Sequence, residues 1–152
     1  MDYEIDDLDR QILAILQQDA RTPFQEIARS LLVSGGTIHV RVNKLREHGI
    51  IKGTKIAIDP ILFGYDICAF IGVNLHDAQE HRRVVEQLKA IPEVLEAHFT
   101  TGTYALLLKV VAPSTRGLHS FLVDKLQAIG GIQSTETLIS LDACIERELP
   151  VK

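Results

Sequence analysis

Apolar residues recur at helical spacing in three successive stretches near the start of the chain, then give way to runs typical of strands. Leu8, Ile12, Ile15 and Leu16 form the first stripe, opened by Asp6 or Asp7 as N-cap and expected to end near Ala20. Acidic residues at that start suit the positive end of the helix dipole. Thr22-Pro23-Phe24-Gln25 predicts a second start, with Thr22 as N-cap, Pro23 at the first helical position and Gln25 completing a capping box. Phe24, Ile27, Ala28 and Leu31 supply its inward face. The third stripe is Ile38, Val42 and Leu45, set between Ser34 as N-cap and Gly49 as the left-handed residue that ends the helix. Three helices in this order, the last two joined tightly through Leu32 and Val33, predict a helix-turn-helix unit. Ile56 and Ile58 alternate enough to predict a short strand over residues 50–58, a wing.

Asp59-Pro60 marks a boundary, because proline disfavours helix before it and supplies no ladder donor. Beyond it the pattern predicts a strand at 67–75, then a helix at 78–91 with Val84, Val85 and Leu88 inward. Strands at 94–101 and 104–111 follow, joined at Gly102-Thr103. A helix at 114–129, stopped by Gly130-Gly131, and a strand at 132–141 complete the order βαββαβ. The expected fold class is α+β: a three-helix, winged helix-turn-helix domain over 1–58, a linker over 59–66, and a ferredoxin-like domain over 67–152. Residues 67–73 and 104–108 are apolar at both parities, which suits strands buried on both faces. Helices cover only one face of such a sheet, so the pattern predicts a homodimer in which a second copy covers the other.

The 152 residues suffice to bury roughly two thirds of the unfolded surface, enough for one ordinary domain or two small lobes. A net charge of −4 argues, taken whole, against a generic nucleic-acid binder, but the charge is segregated. Residues 1–20 carry Arg10 against six acidic groups, whereas residues 21–58 carry seven basic groups against Glu26 and Glu47. Positive charge therefore gathers around the third helix, where phosphate contacts need it. Cys68 and Cys144 lie far apart without metal or redox spacing and read as reduced residues. The N-terminus has neither a basic n-region nor an apolar h-region, and no apolar run approaches a membrane span, so a cytoplasmic protein without membrane association is expected.

The second helix of a helix-turn-helix lies in the major groove with its N-terminal half on the bases. That assigns Ser34 to a phosphate and Thr37 and Asn43 to base edges or phosphates. Val40 suits a thymine methyl, and Arg41 and Lys44 are the main cations. Arg41 borders the buried stripe, so a salt bridge within the lobe is equally open to it. In the second domain, Thr100, Thr101, Gly102, Thr103 and Tyr104 offer hydroxyls and backbone donors that suit a carboxylate. Gln133, Ser134 and Thr135 pair donors with acceptors as a side-chain amide requires. A hairpin turn beside ordinary strand hydroxyls accounts for the same residues. His76, Asp77 and His81 flank a helix start without the spacing of a metal site. No nucleophile elbow, phosphate loop or paired-carboxylate motif appears, so neither an enzyme nor a bound cofactor is expected.

Ile5-Asp6-Asp7-Leu8-Asp9-Arg10-Gln11-Ile12-Leu13, Asp19-Ala20-Arg21-Thr22, Arg41-Val42 with Leu45, Gly49-Ile50-Ile51 with Gly53, Leu62-Phe63-Gly64-Tyr65 and Thr101-Gly102 with Tyr104 together resemble the Lrp/AsnC family of feast/famine regulators. The resemblance spans both lobes. It implies a transcription factor whose first domain binds a double-stranded DNA operator. The second domain is then implied to dimerise, to assemble dimers into octamers or discs, and to bind an amino acid between dimers at the residues named above. The segments 37–42, 64–66, 100–104 and 132–139 are most similar to the family's asparagine-responsive members, which implies asparagine as the effector. Two departures stand out: Gly35 follows the capping serine where many members have proline, and Thr103 and Ala105 replace the aspartates of leucine-type members. The other reading open to the sequence is a ferredoxin-like amino-acid sensor or metabolic enzyme whose helical domain docks protein.

Overall fold

The computed structural model describes residues 3–151. The described chain separates into two compact units, one grouping Met1–Ala57 with Ile145–Lys152 and the other spanning Ile58–Cys144. The sequence-based division carried the second domain to residue 152; here the last residues group with the helical unit, where Gln17 Nε2 donates to the Leu149 carbonyl at 3.1 Å.

The helical unit holds α1 (Asp7–Gln18), α2 (Phe24–Ser30) and α3 (Gly35–Glu47). Asp6 caps α1 through a reciprocal box with Asp9, each side chain accepting from the other's backbone N–H. The capping box expected for α2 does not form: Pro23 is the cap and α2 has no side-chain cap bond. Thr22 Oγ1 donates instead to the Asp19 carbonyl at 2.8 Å, and the Gln25 amide lies where a Cβ on residue 35 would meet it at 2.7 Å. The α2–α3 turn passes through Leu32, which holds φ +57 with 92% exposure, a strained setting for a branched side chain. Ser34 caps α3, its hydroxyl accepting from Thr37 N–H at 3.1 Å. The far end closes as a Schellman motif: Gly49 at φ +70 donates to the Arg46 carbonyl and Ile50 to that of Leu45, both at 2.9 Å. Ile12, Ile27, Ala28, Ile38 and Val42 are the buried core, one or two from each helix. The wing strand is absent: residues 50–58 are extended or bent but pair with no strand, because every ladder of the described residues lies among the four strands of the other unit.

The sheet unit holds β1 (Ile67–Leu75), a 3₁₀ turn (Ala78–Glu80) leading into α4 (His81–Lys89), β2 (Val94–Phe99), β3 (Leu106–Ala112), α5 (Thr115–Ser120) and β4 (Ile132–Ser140). The strands form one antiparallel sheet in the order β2-β3-β1-β4, the ferredoxin-like arrangement. Ala69, Ile71, Val73, Leu106, Leu108 and Val110 face the helices, packing on Val84 and Leu88 of α4 and Leu118 of α5. The single helix expected over 114–129 widens after Ser120 into a π-helical segment, Phe121–Leu126. A ladder closed five residues back turns residues five apart toward one face, and Phe121 and Leu126 are both buried.

On the opposite face the register aligns Phe70 with Leu138 of β4 and Gly72 with Leu107 of β3. Phe70 remains 38% and Leu138 56% exposed. Gly72 is covered from within: a Cβ there would stand 2.6 Å from the Tyr104 ring, so the ring lies directly on its backbone.

Candidate functional site

Ile38, Val42 and Leu45 anchor α3 into the core, which turns Val40 and Lys44 outward, Val40 being 55% exposed. Thr37 sits at the flank of this face, its hydroxyl 2.8 Å from that of Ser34, so both hydroxyls join the cap. Asn43 Nδ2 is 3.3 Å from His39 Nδ1, one helical turn back, and His39 lies beside the Phe24 ring. Lys44 makes no ion pair among the described residues; nor do Arg29, Arg46, Lys52 and Lys55 of the same unit. These free cations agree with the basic stretch expected around α3.

Arg41 behaves differently. Its Nη1 donates to Asp6 Oδ2 at 2.5 Å and lies 3.3 Å from both oxygens of Asp9, whose side chain is fully buried. Tyr3 OH donates to Asp9 Oδ2 at 2.8 Å, and the Tyr3 ring stacks on His48 with centroids 4.9 Å apart. The Asp9 backbone N–H, and after it the guanidinium, hold the Asp6 carboxyl below its ordinary range. Burial, then the Asp9 carboxylate, pushes the Tyr3 phenol up, and Asp6 above all raises the Arg41 guanidinium further. The salt bridge within the lobe that the sequence left open is thus made.

In the sheet unit, the two segments singled out from sequence flank one point of β1. Val73 aligns with Leu106, the first residue of β3, on one side and with Thr135 on the other. Strands are spaced about 4.8 Å apart, so the 100–105 loop and Gln133–Thr135 stand roughly 10 Å apart at one end of the sheet. The loop is closed by Thr100 Oγ1 donating to the Tyr104 carbonyl at 2.7 Å and by the Ala105 N–H donating to the Val73 carbonyl at 3.0 Å. Thr101, Gly102, Thr103, Gln133 and Ser134 are exposed.

The register adds three residues that sequence reasoning passed over. Gly72 seats the Tyr104 ring, and Asn74 Nδ2 donates to Ser134 Oγ at 3.2 Å. Glu136 aligns with Gly72, on the face that carries Tyr104, and its carboxylate has no ion pair among the described residues. The isolated glycine inside a strand pattern was the one signal for this close approach. A cleft of about 230 Å³ lies elsewhere, in the helical unit, lined by Leu13, Leu16, Phe24, Ile51, Arg46 and Lys52 among others. Among the described residues no group of three His, Cys, Asp or Glu side chains is placed to hold a metal ion, and no helix is long and apolar enough to cross a membrane.

Residues 5–46 match the AsnC-type helix-turn-helix domain and residues 68–150 the Lrp/AsnC ligand binding domain. Regulatory protein AsnC of Haemophilus influenzae is 50% identical over 97% of this chain and 98% of its own length. Its namesake from Escherichia coli K12 is 45% identical over 97% of both chains. The solved structure of Escherichia coli AsnC superposes with a TM-score of 0.94 at 44% identity, covering 97% of this chain and 99% of its own. A transcriptional regulator of Neisseria meningitidis solved as its L-Met complex shares the fold, with a TM-score of 0.91 at 24% identity over 97% of each chain. The helix-turn-helix with its free cations and the ferredoxin-like sheet are the two halves of one architecture: the chain belongs to the Lrp/AsnC family of DNA-binding transcriptional regulators, with a ligand-binding domain in its second half.

Proposed function

We propose that the chain is an asparagine-responsive transcriptional regulator acting in the cytoplasm as a homodimer that assembles further, to an octamer or disc. Its operator is read by the outer face of α3. Thr37 and Asn43 meet base edges or phosphates, Val40 meets a thymine methyl, Lys44 meets a phosphate, and Ser34 contributes at the start of the helix. The support for this reading is the outward, unpaired setting of Val40 and Lys44.

The effector reading rests on the register that gathers Thr100–Tyr104 and Gln133–Thr135 on either side of Val73. Backbone N–H groups of the Thr101-Gly102-Thr103 turn take the carboxylate, and Gln133, Ser134 and Thr135 take the side-chain amide. Glu136 supplies the anion that the ligand's ammonium needs, where this chain lacks the aspartates of leucine-type members. These groups are open to solvent in a single copy, so the site is completed by a neighbouring copy, and binding there is coupled to assembly. The apolar residues Phe70, Leu107 and Leu138 on the open sheet face support the pairing of copies.

A thermal-shift screen against the twenty amino acids tests the effector, since a ligand that binds only the folded state raises Tm. Asparagine is expected to give the largest shift and to change operator retention in a gel-shift assay. A clear shift with another amino acid and none with asparagine refutes the assignment. Regulators named AsnC among the relatives favour this reading over a metabolic enzyme.

A further inference from the structure

Two acidic side chains at the start of α1 stand against Arg41 of α3. The Asp9 carboxylate is fully buried and Asp6 is half-exposed, and both bind Arg41 through the same nitrogen, Nη1. The Tyr3 hydroxyl is a further hydrogen-bond partner of the guanidinium, and the Arg41 side chain is 30% exposed. Arg41 lies one helical turn after Thr37 and three residues before Lys44, on the flank of the outward face. A buried ion pair adds little net stability over an apolar pair of the same volume. What it does supply is a fixed direction: a guanidinium pinned at one nitrogen keeps its other edge in one plane, and Arg binds phosphate best through such a planar edge.

We propose that Asp6 and Asp9 are positioning residues for DNA binding: they hold Arg41 by Nη1 so that its remaining donors meet an operator phosphate. Tyr3 completes the support by donating to Asp9. The proposal rests on the reading that α3 faces DNA, and it deepens that reading by making Arg41 both a structural partner and a phosphate contact.

The sign of the effect separates this role from plain electrostatics. Removing a carboxylate near a polyanion strengthens binding if charge alone matters. Positioning requires the opposite. Asp6→Asn is the cleaner variant, because asparagine still caps α1 while losing the charge that holds Arg41. Asp9→Asn tests the buried partner, and should it not fold, Asp6→Asn carries the test.

Operator affinity of the full chain is measured over a salt series, well below each variant's Tm. Asp6→Asn and Asp9→Asn are each expected to weaken binding by about tenfold, the scale of one charge-assisted hydrogen bond. In an Arg41→Ala background the same substitutions are expected to change affinity by less than about twofold. Arg41→Ala itself lowers the slope of log affinity against log salt by about one. Binding that is unchanged or tighter in Asp6→Asn overturns the proposal, and so does an equal loss with and without Arg41. Lys44→Ala keeps the two readings apart. If it weakens binding while Asp6→Asn does not, the clamp alone fails. If neither Lys44→Ala nor Arg41→Ala moves affinity or slope, the reading of α3 fails with it.

Discussion

In the helical unit, Ile12, Ile27, Ile38, Val42 and Leu45 are fully buried within one copy; Leu32 and Val40 stay exposed on the turn and outer face of the helix-turn-helix, and Ile56, Ile145 and Leu149 stay exposed outside its three helices. The sheet unit is closed on one side only. Ala69, Ile71, Val73, Leu106 and Leu108 are sealed under α4 and α5, while Phe70 and Leu138, aligned across β1 and β4 on the other face, remain exposed. The contrast separates two tasks. A domain that has buried its own core can present a rigid reading helix; a sheet with one apolar face uncovered is unfinished as a single copy and is suited to join others. One short helix with few cations binds DNA weakly, so under the proposed pairing of copies the sheet unit supplies the affinity for a two-fold operator.

Neighbouring residues of β3 give the largest test of this contrast. Leu108→Ala removes a side chain from the closed face and should lower unfolding free energy by about 2–5 kcal/mol in a denaturant titration. Leu107→Ala, one residue away on the open face, should cost far less in folding and appear instead as weaker self-association. Equal folding costs at the two positions would break the distinction between the faces.

A smaller effect sharpens the account of the helical unit. The Asp6 carboxyl is held below its ordinary value by the Asp9 N–H and by Arg41. A depressed folded-state pKa contributes stability that is present above the unfolded value of about 3.9 and is lost as pH falls through the folded value. Glu93 beside Lys125 and Glu96 beside His98 are lowered as well, so the whole chain should weaken in acid. The informative quantity is the difference: Asp6→Asn should lose less Tm than the natural chain between about pH 5 and pH 2.5. Parallel curves would mean that the Asp6 pair does not stabilise the unit.

The three helices and the βαββαβ order were legible because their cores follow 3.6- and 2-residue periods, and the Ser34 cap because a hydroxyl before a helical stripe has one obvious use. The wing was not, since Ile56 and Ile58 alternate like a strand but no neighbour supplies a ladder. The α2 capping box failed because Thr22 had a nearer acceptor in the Asp19 carbonyl. At the candidate sites, the Thr100–Tyr104 and Gln133–Thr135 segments were visible as chemistry. Their placement on either side of Val73, and the parts of Gly72, Asn74 and Glu136, depend on strand register, which no local pattern encodes. Arg41 showed the limit most clearly: its place at the edge of the apolar stripe allowed a salt bridge or a phosphate contact, and only the positions of Asp6 and Asp9 reveal the bridge.

The central claim, that the sheet unit supplies the pairing on which DNA reading depends, is tested most directly by a chain carrying Phe70→Glu and Leu138→Glu, with sedimentation and operator affinity measured on the same samples. Both side chains are exposed in a single copy, so each unit should still fold. The account predicts a folded monomer whose operator affinity falls by at least about a hundredfold, the scale of lost bivalency. A folded monomer that binds the operator as tightly as the natural chain would contradict it.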